Sequence, residues 1–246
     1  MQSLFRILGA TLLASFVLFG GLALQPGSAP AQDDGMEICT QDAMIVFDAS
    51  GSMAGATTQD IFSPMTRIQE VRAALAEVLP NVTQFRKVGL ITYGPGPHLQ
   101  CNVDLKLPPI AHAAKPIMAA VNGLDAAGKT PLSTAVEKAA ETLNYRSKPG
   151  VVVLLTDGEE TCGGAPCELG KRLRATGAVT VHVIAYQMKA VQWMGPQSVL
   201  DVQCLAKQTG GRYVTAQTHE DLVRAFERAL GCPLVGSAQT SHRAVH

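Results

Sequence analysis

Two kinds of hydrophobic pattern alternate along the chain. Short apolar runs occur at 43–48, 87–93, 150–156 and 179–186. Runs of this length, without regular polar alternation, predict strands covered on both faces. Between them, apolar residues recur at helical spacing. Ile68, Val71, Leu75, Val78 and Leu79 form one stripe, and Leu132, Val136, Ala139 and Leu143 form another. Thr66 and Gln69 make a capping box ahead of the first stripe, which Pro80-Asn81 is expected to end. Thr130 is expected as the N-cap of the second, with Pro131 at its first helical position. Further helices are predicted at 111–122, 166–176, 197–209 and 218–230, the last capped by Thr218. A strand at 101–105 follows Gly94-Pro95-Gly96-Pro97 too closely for a crossover helix, so it pairs antiparallel. A sixth strand is short, at 212–215. The fold class is therefore α/β: a doubly wound, mostly parallel six-stranded sheet, one antiparallel edge strand, and helices on both faces.

The ends of the chain read differently. Arg6 is the only charge before Asp33, and an apolar segment spans 7–24, followed by Ala29-Pro30-Ala31. This predicts a signal peptide over 1–31 with cleavage after Ala31. The alternative is an uncleaved anchor, because about 18 apolar residues are enough to span a bilayer. The Ala-x-Ala site and the Pro-Gly break favour cleavage. A loose segment, 32–39, leads into one folded domain, 40–232, and a polar tail, 233–246, is expected to be disordered. The chain is thus expected to be exported, to a periplasm or the cell exterior.

Charge and cysteine content narrow the classes. Twenty Lys and Arg balance twenty Asp and Glu, without a basic run, which argues against a nucleic-acid partner. Six cysteines in an exported chain read as disulfides, for which fifteen pairings exist. The expected set is Cys39–Cys101, Cys162–Cys167 and Cys204–Cys232. A zinc site at Cys162 and Cys167 lacks a second Cys or His pair.

Candidate chemistry gathers where strands end. The first run closes on Asp48, followed by hydroxyls at Ser50 and Ser52 around Gly51. The run at 150–156 leads into Asp157-Gly158, and Thr130 stands in Gly128-Lys129-Thr130-Pro131. In open α/β sheets, ligands bind beyond the carboxyl ends of the strands. Two carboxylates and three hydroxyls are hard oxygen donors, suited to Mg2+ or Mn2+.

The three segments together resemble the metal-ion-dependent adhesion site of von Willebrand factor type A domains. Asp48-x-Ser50-x-Ser52, Thr130 in Gly-Lys-Thr-Pro-Leu and Asp157 in Thr-Asp-Gly fill all five ligand positions, and the likeness covers about residues 40–231. The stretch 157–167 is similar to exported bacterial members. The resemblance implies a Rossmann-like sheet, direct metal ligands at Ser50, Ser52 and Thr130, and direct or water-mediated ones at Asp48 and Asp157. It also implies metal-dependent binding of another protein through an Asp or Glu side chain, rather than catalysis.

Competing readings are weaker. Residues 123–130 match a phosphate-loop pattern, but the segment before them reads as a helix where that motif needs a strand, so no nucleotide is expected. A metal-assisted phosphoesterase would need a base, and no His lies near the ligand segments in sequence. Glu159 and Glu160 read as a solvated loop face or a supplement to the site's charge. Met188, Trp193 and Met194 in the loop 187–196 read as a lid packed on the sheet edge.

Overall fold

The computed structural model describes residues 41–57, 65–96, 100–188 and 197–231, with the backbone alone for 197–199. The predicted signal peptide, the leading segment with Cys39, most of the loop 187–196 and the tail with Cys232 lie outside the described residues.

Strands β1 (Ala43–Asp48), β2 (Val88–Tyr93), β3 (Val103–Ile110), β4 (Gly150–Thr156), β5 (Val179–Tyr186) and β6 (Tyr213–Ala216) form one sheet in the order β3-β2-β1-β4-β5-β6. Only β3 runs antiparallel. Helices α1 (Arg67–Val82), α2 (Ala114–Asn122), α3 (Leu132–Thr142), α4 (Pro166–Thr176), α5 (Gln197–Gln208) and α6 (His219–Leu230) cover it. This is the Rossmann-like α/β architecture expected.

The unbroken apolar runs have a direct cause. Ala43, Ile45 and Phe47 of β1 pack with α1, α2 and α6 on one face. Met44 and Val46 pack with α3, α4 and α5 on the other. Both faces of the strand are dry, so neither has room for a polar alternation. After β1 the chain builds β2 and β3 on one side, then returns to place β4 on the other. The carboxyl ends of β1 and β4 therefore border the crevice where chain order reverses.

Several boundaries differ from expectation. Helix α1 runs through Pro80 to Val82, because a proline near a helix end breaks the ladder only locally and Thr83 N still reaches Leu79 O at 3.0 Å. Strand β3 continues past 105 through Pro108 and Pro109. An edge strand tolerates prolines, and the register shifts twice along this pair. Helix α2 starts three residues late, after His112 at a φ of 53°.

None of the three expected disulfides forms. Among the described residues the bonds are Cys101–Cys162 and Cys167–Cys204, with Cα–Cα distances of 6.0 and 5.0 Å. Cys162 and Cys167 are near neighbours in sequence, but helix α4 begins between them. Cys162 stays in the loop at the sheet's rim and meets Cys101 there. Cys167 lies in the first turn of α4 and bonds to Cys204 on α5. Cys101 and Cys204 are thereby taken from the partners expected for them.

Candidate metal centre

Strand β1 delivers Asp48 to the rim with no solvent exposure. The chain turns at once: Ser50 N donates to Asp48 Oδ1 at 2.8 Å, and one 3-10 turn, Gly51–Ala54, follows. Asp48 Oδ2 accepts from Tyr93 Oη at 2.8 Å and from Thr156 Oγ1 at 2.9 Å. The parallel register that pairs Asp48 with Tyr93 puts that hydroxyl there. Burial, with the nearby Asp157 carboxylate adding to it, pushes the Asp48 carboxyl up to about 6, against the hydrogen bonds from Ser50 and Tyr93.

Asp157 follows the last residue of β4 and is buried, its side chain fully so. Ser52 Oγ donates to Asp157 Oδ1 at 2.6 Å, and the Ser50 and Ser52 hydroxyls stand 3.1 Å apart. Asp48, Ser50, Ser52 and Asp157 thus form one connected group. Asp48 and Ser50 are buried while Ser52 is exposed, so the group opens to solvent on the Ser52 side.

Thr130 comes to the same rim by backbone contacts. Gly51 N donates to Gly128 O at 3.2 Å, and Ala127 N donates to Ala49 O at 2.9 Å. Glycine is required at this crossing. Gly128 has a φ of 74°, and a Cβ there would lie 2.0 Å from Gly94 O. Thr130 is buried, but it does not cap α3 as predicted. The cap position falls on Pro131, without a side-chain bond. The helix start is satisfied instead by Glu160, whose Oε2 accepts Ser133 N at 2.8 Å. A carboxylate from a distant loop suits the positive end of a helix, and it leaves the Thr130 hydroxyl free of capping. Glu160 is therefore a structural cap rather than a solvated face.

Three participants escaped the sequence reading. Tyr93 and Thr156 hold Asp48, and both are strand-end residues whose contacts exist only once β1, β2 and β4 align. Arg67 is the third. Its Nη1 lies 2.9 Å from Asp157 Oδ2 and 3.1 Å from Ser52 O, and its Nε reaches Gln187 Oε1 at 3.5 Å. Its one sequence signal is its place directly after the Thr66 cap.

The donors suit a hard divalent cation. Two buried carboxylates face a shared space through hydroxyls, and burial makes their two charges costly without a positive partner. Arg67 supplies one positive charge to Asp157 and makes no bond to Asp48. Among the described residues no group of three or more His, Cys, Asp or Glu comes together, so a soft-metal set is not offered. The segment before Gly123 is helix α2, not the strand a phosphate loop requires.

Comparison with known proteins agrees with this architecture. Residues 43–160 match the model of the von Willebrand factor type A domain. The uncharacterized protein YwmC of Bacillus subtilis is 36% identical over 108 residues, which cover 43% of this chain and 44% of YwmC. The chain thus matches less than half the length of this curated relative. Among solved structures, the VWA domain of SpRpn10 superposes with a TM-score of 0.58 at 14% identity, covering 80% of this chain and 99% of that one. Proximal thread matrix protein 1 from the mussel byssus, with a zinc-occupied MIDAS motif, superposes at 0.53 and 16% identity, covering 78% of this chain and 47% of that one. At these identities the superpositions speak to the fold. With the matched residues running from the start of β1 to the loop beyond Asp157, this region, 43–160, belongs to the von Willebrand factor type A domain family.

Proposed function

We propose that this chain is an exported binding module that holds Mg2+ or Mn2+ on Asp48, Ser50, Ser52, Thr130 and Asp157. The cation grips an Asp or Glu side chain of a partner protein. The observation that carries the reading is the connected group Asp48–Ser50–Ser52–Asp157, at the crevice where chain order reverses. Hydroxyl ligands donate little charge, so a bound cation stays electrophilic toward an incoming carboxylate. Specificity then rests with the surrounding loops. Two disulfides suit an oxidising compartment, in line with the signal peptide read at 1–31. No helix among the described residues is long and apolar enough to cross a membrane.

Phosphoester hydrolysis at the same cation is the weaker reading. It calls for a base beside the metal, and His182 and His219 are engaged elsewhere, with the Arg212 amide and with Glu77.

The test is calorimetric titration with Mg2+ and Mn2+, followed by capture of partners from an envelope fraction with Mg2+ or with chelator. One cation is expected per chain, and partner capture is expected to disappear with chelator. Asp48→Asn, which keeps the volume, is expected to abolish both while the circular dichroism spectrum is retained. Capture that survives chelation would sink the reading.

A further inference from the structure

Four of the five candidate ligands are tied to one another by side-chain hydrogen bonds. Thr130 is the exception, and its loop is held from two sides. On one side Lys129 N donates to Gln100 O at 3.2 Å. On the other, Thr130 N donates to Thr161 Oγ1 at 2.8 Å, and Thr161 N donates to Thr130 O at 3.0 Å. Gln100 and Thr161 are the chain neighbours of Cys101 and Cys162, and those two cysteines are bonded to each other. The ring closes: from residue 100 to Cys101, across the disulfide to Cys162, back to Thr161, and across hydrogen bonds to 129–130. Glu160 braces it by accepting Cys162 N at 2.8 Å on one carboxylate oxygen and Ser133 N at 2.8 Å on the other.

We propose that the Cys101–Cys162 disulfide is a clasp that fixes Thr130 as a metal ligand and thereby sets cation affinity. The inference rests on the metal-binding reading above. A ligand on a freely moving loop must be ordered when the ion arrives, and that ordering entropy weakens binding. A cross-link beside both anchors removes most of this cost beforehand. Cys101 is exposed and Cys162 half-buried, so the bond lies at the rim rather than in the core. The second disulfide among the described residues is a built-in control. Cys167–Cys204 joins α4 to α5 and touches neither anchor of the Thr130 loop.

The experiment measures Mn2+ affinity calorimetrically and thermal midpoints for the full chain and four variants. C101S/C162S is expected to bind Mn2+ about tenfold more weakly. T161V, which keeps the disulfide but loses the acceptor for Thr130 N, is expected to weaken binding in the same direction, and T161S to restore it. C167S/C204S is expected to lower the thermal midpoint and leave Mn2+ affinity unchanged. Should C101S/C162S fail to fold, T161V against T161S decides alone. Unchanged affinity in both C101S/C162S and T161V overturns the clasp while leaving the metal site intact. An unaltered chain that binds no Mn2+ overturns the metal reading and the clasp with it.

Discussion

At the scale of single residues, Arg67 and His182 matter most. Arg67 places a guanidinium against a fully buried carboxylate, so it neutralises part of the site's charge when no cation is bound. Arg67→Gln is expected to lower metal-free stability by on the order of 2 kcal/mol, because Asp157 loses its partner. The same change is expected to raise Mg2+ affinity about tenfold, because the ion no longer competes with a fixed positive charge. Chemical denaturation and calorimetry on the same samples check both halves. His182, on β5, is pushed down to about 4 by burial, with Arg212 and Arg86 adding to it. Its folded pKa lies below its unfolded value, so the folded state prefers the neutral ring. That preference is fully present above about pH 6.5 and is lost as pH falls toward 4. Between pH 7 and 5 it is expected to remove on the order of 2 kcal/mol of stability. His182→Asn, which keeps an acceptor for Arg212 N, is expected to show a flatter profile in thermal melts over that range. Asp48 titrates in the opposite sense in the metal-free protein, so the comparison with His182→Asn isolates the histidine.

At the scale of elements, helix starts divide into those written locally and those assembled from afar. Thr66 with Gln69, and Thr218 with Asp221, form complete capping boxes within their own segments. Thr218→Ala is expected to cost about 1 kcal/mol by denaturant unfolding and to leave metal binding alone, since α6 starts beside the edge strand β6, with β5 between it and β4. The start of α3 is of the second kind, because Glu160 reaches it from beyond β4. Glu160→Ala is expected to cost 1–2 kcal/mol or about that much, and to weaken Mn2+ binding as well, because the same carboxylate braces the loop at Cys162. If stability falls and affinity holds, Glu160 serves the helix alone.

At the scale of the whole molecule, a cation that binds only the folded state raises its stability by mass action. At a free concentration of one hundred times Kd the gain is about 2.7 kcal/mol. A thermal midpoint that rises with Mn2+ in the unaltered chain, and stays fixed in Asp48→Asn, is the expected outcome. The disulfides act at this scale too, since each closes a loop that contains a strand of the sheet, of 61 and 37 residues in sequence separation. Loss of Cys167–Cys204 is expected to cost roughly 2–4 kcal/mol, read from denaturant midpoints.

The sequence by itself determined the strand runs, the alternation of elements, the antiparallel hairpin, the local capping boxes and the identity of the oxygen-bearing residues at the strand ends. Each of these follows from short-range rules: burial on two faces removes polar alternation, and a cap bonds within its own turn. The tertiary structure alone decided which cysteines bond, that Glu160 rather than Thr130 caps α3, and that Tyr93, Thr156 and Arg67 join Asp48 and Asp157. Those contacts link segments dozens of residues apart. They arise only when β1, β2 and β4 align and their following loops pack over a common rim, and no spacing within a single segment encodes that meeting.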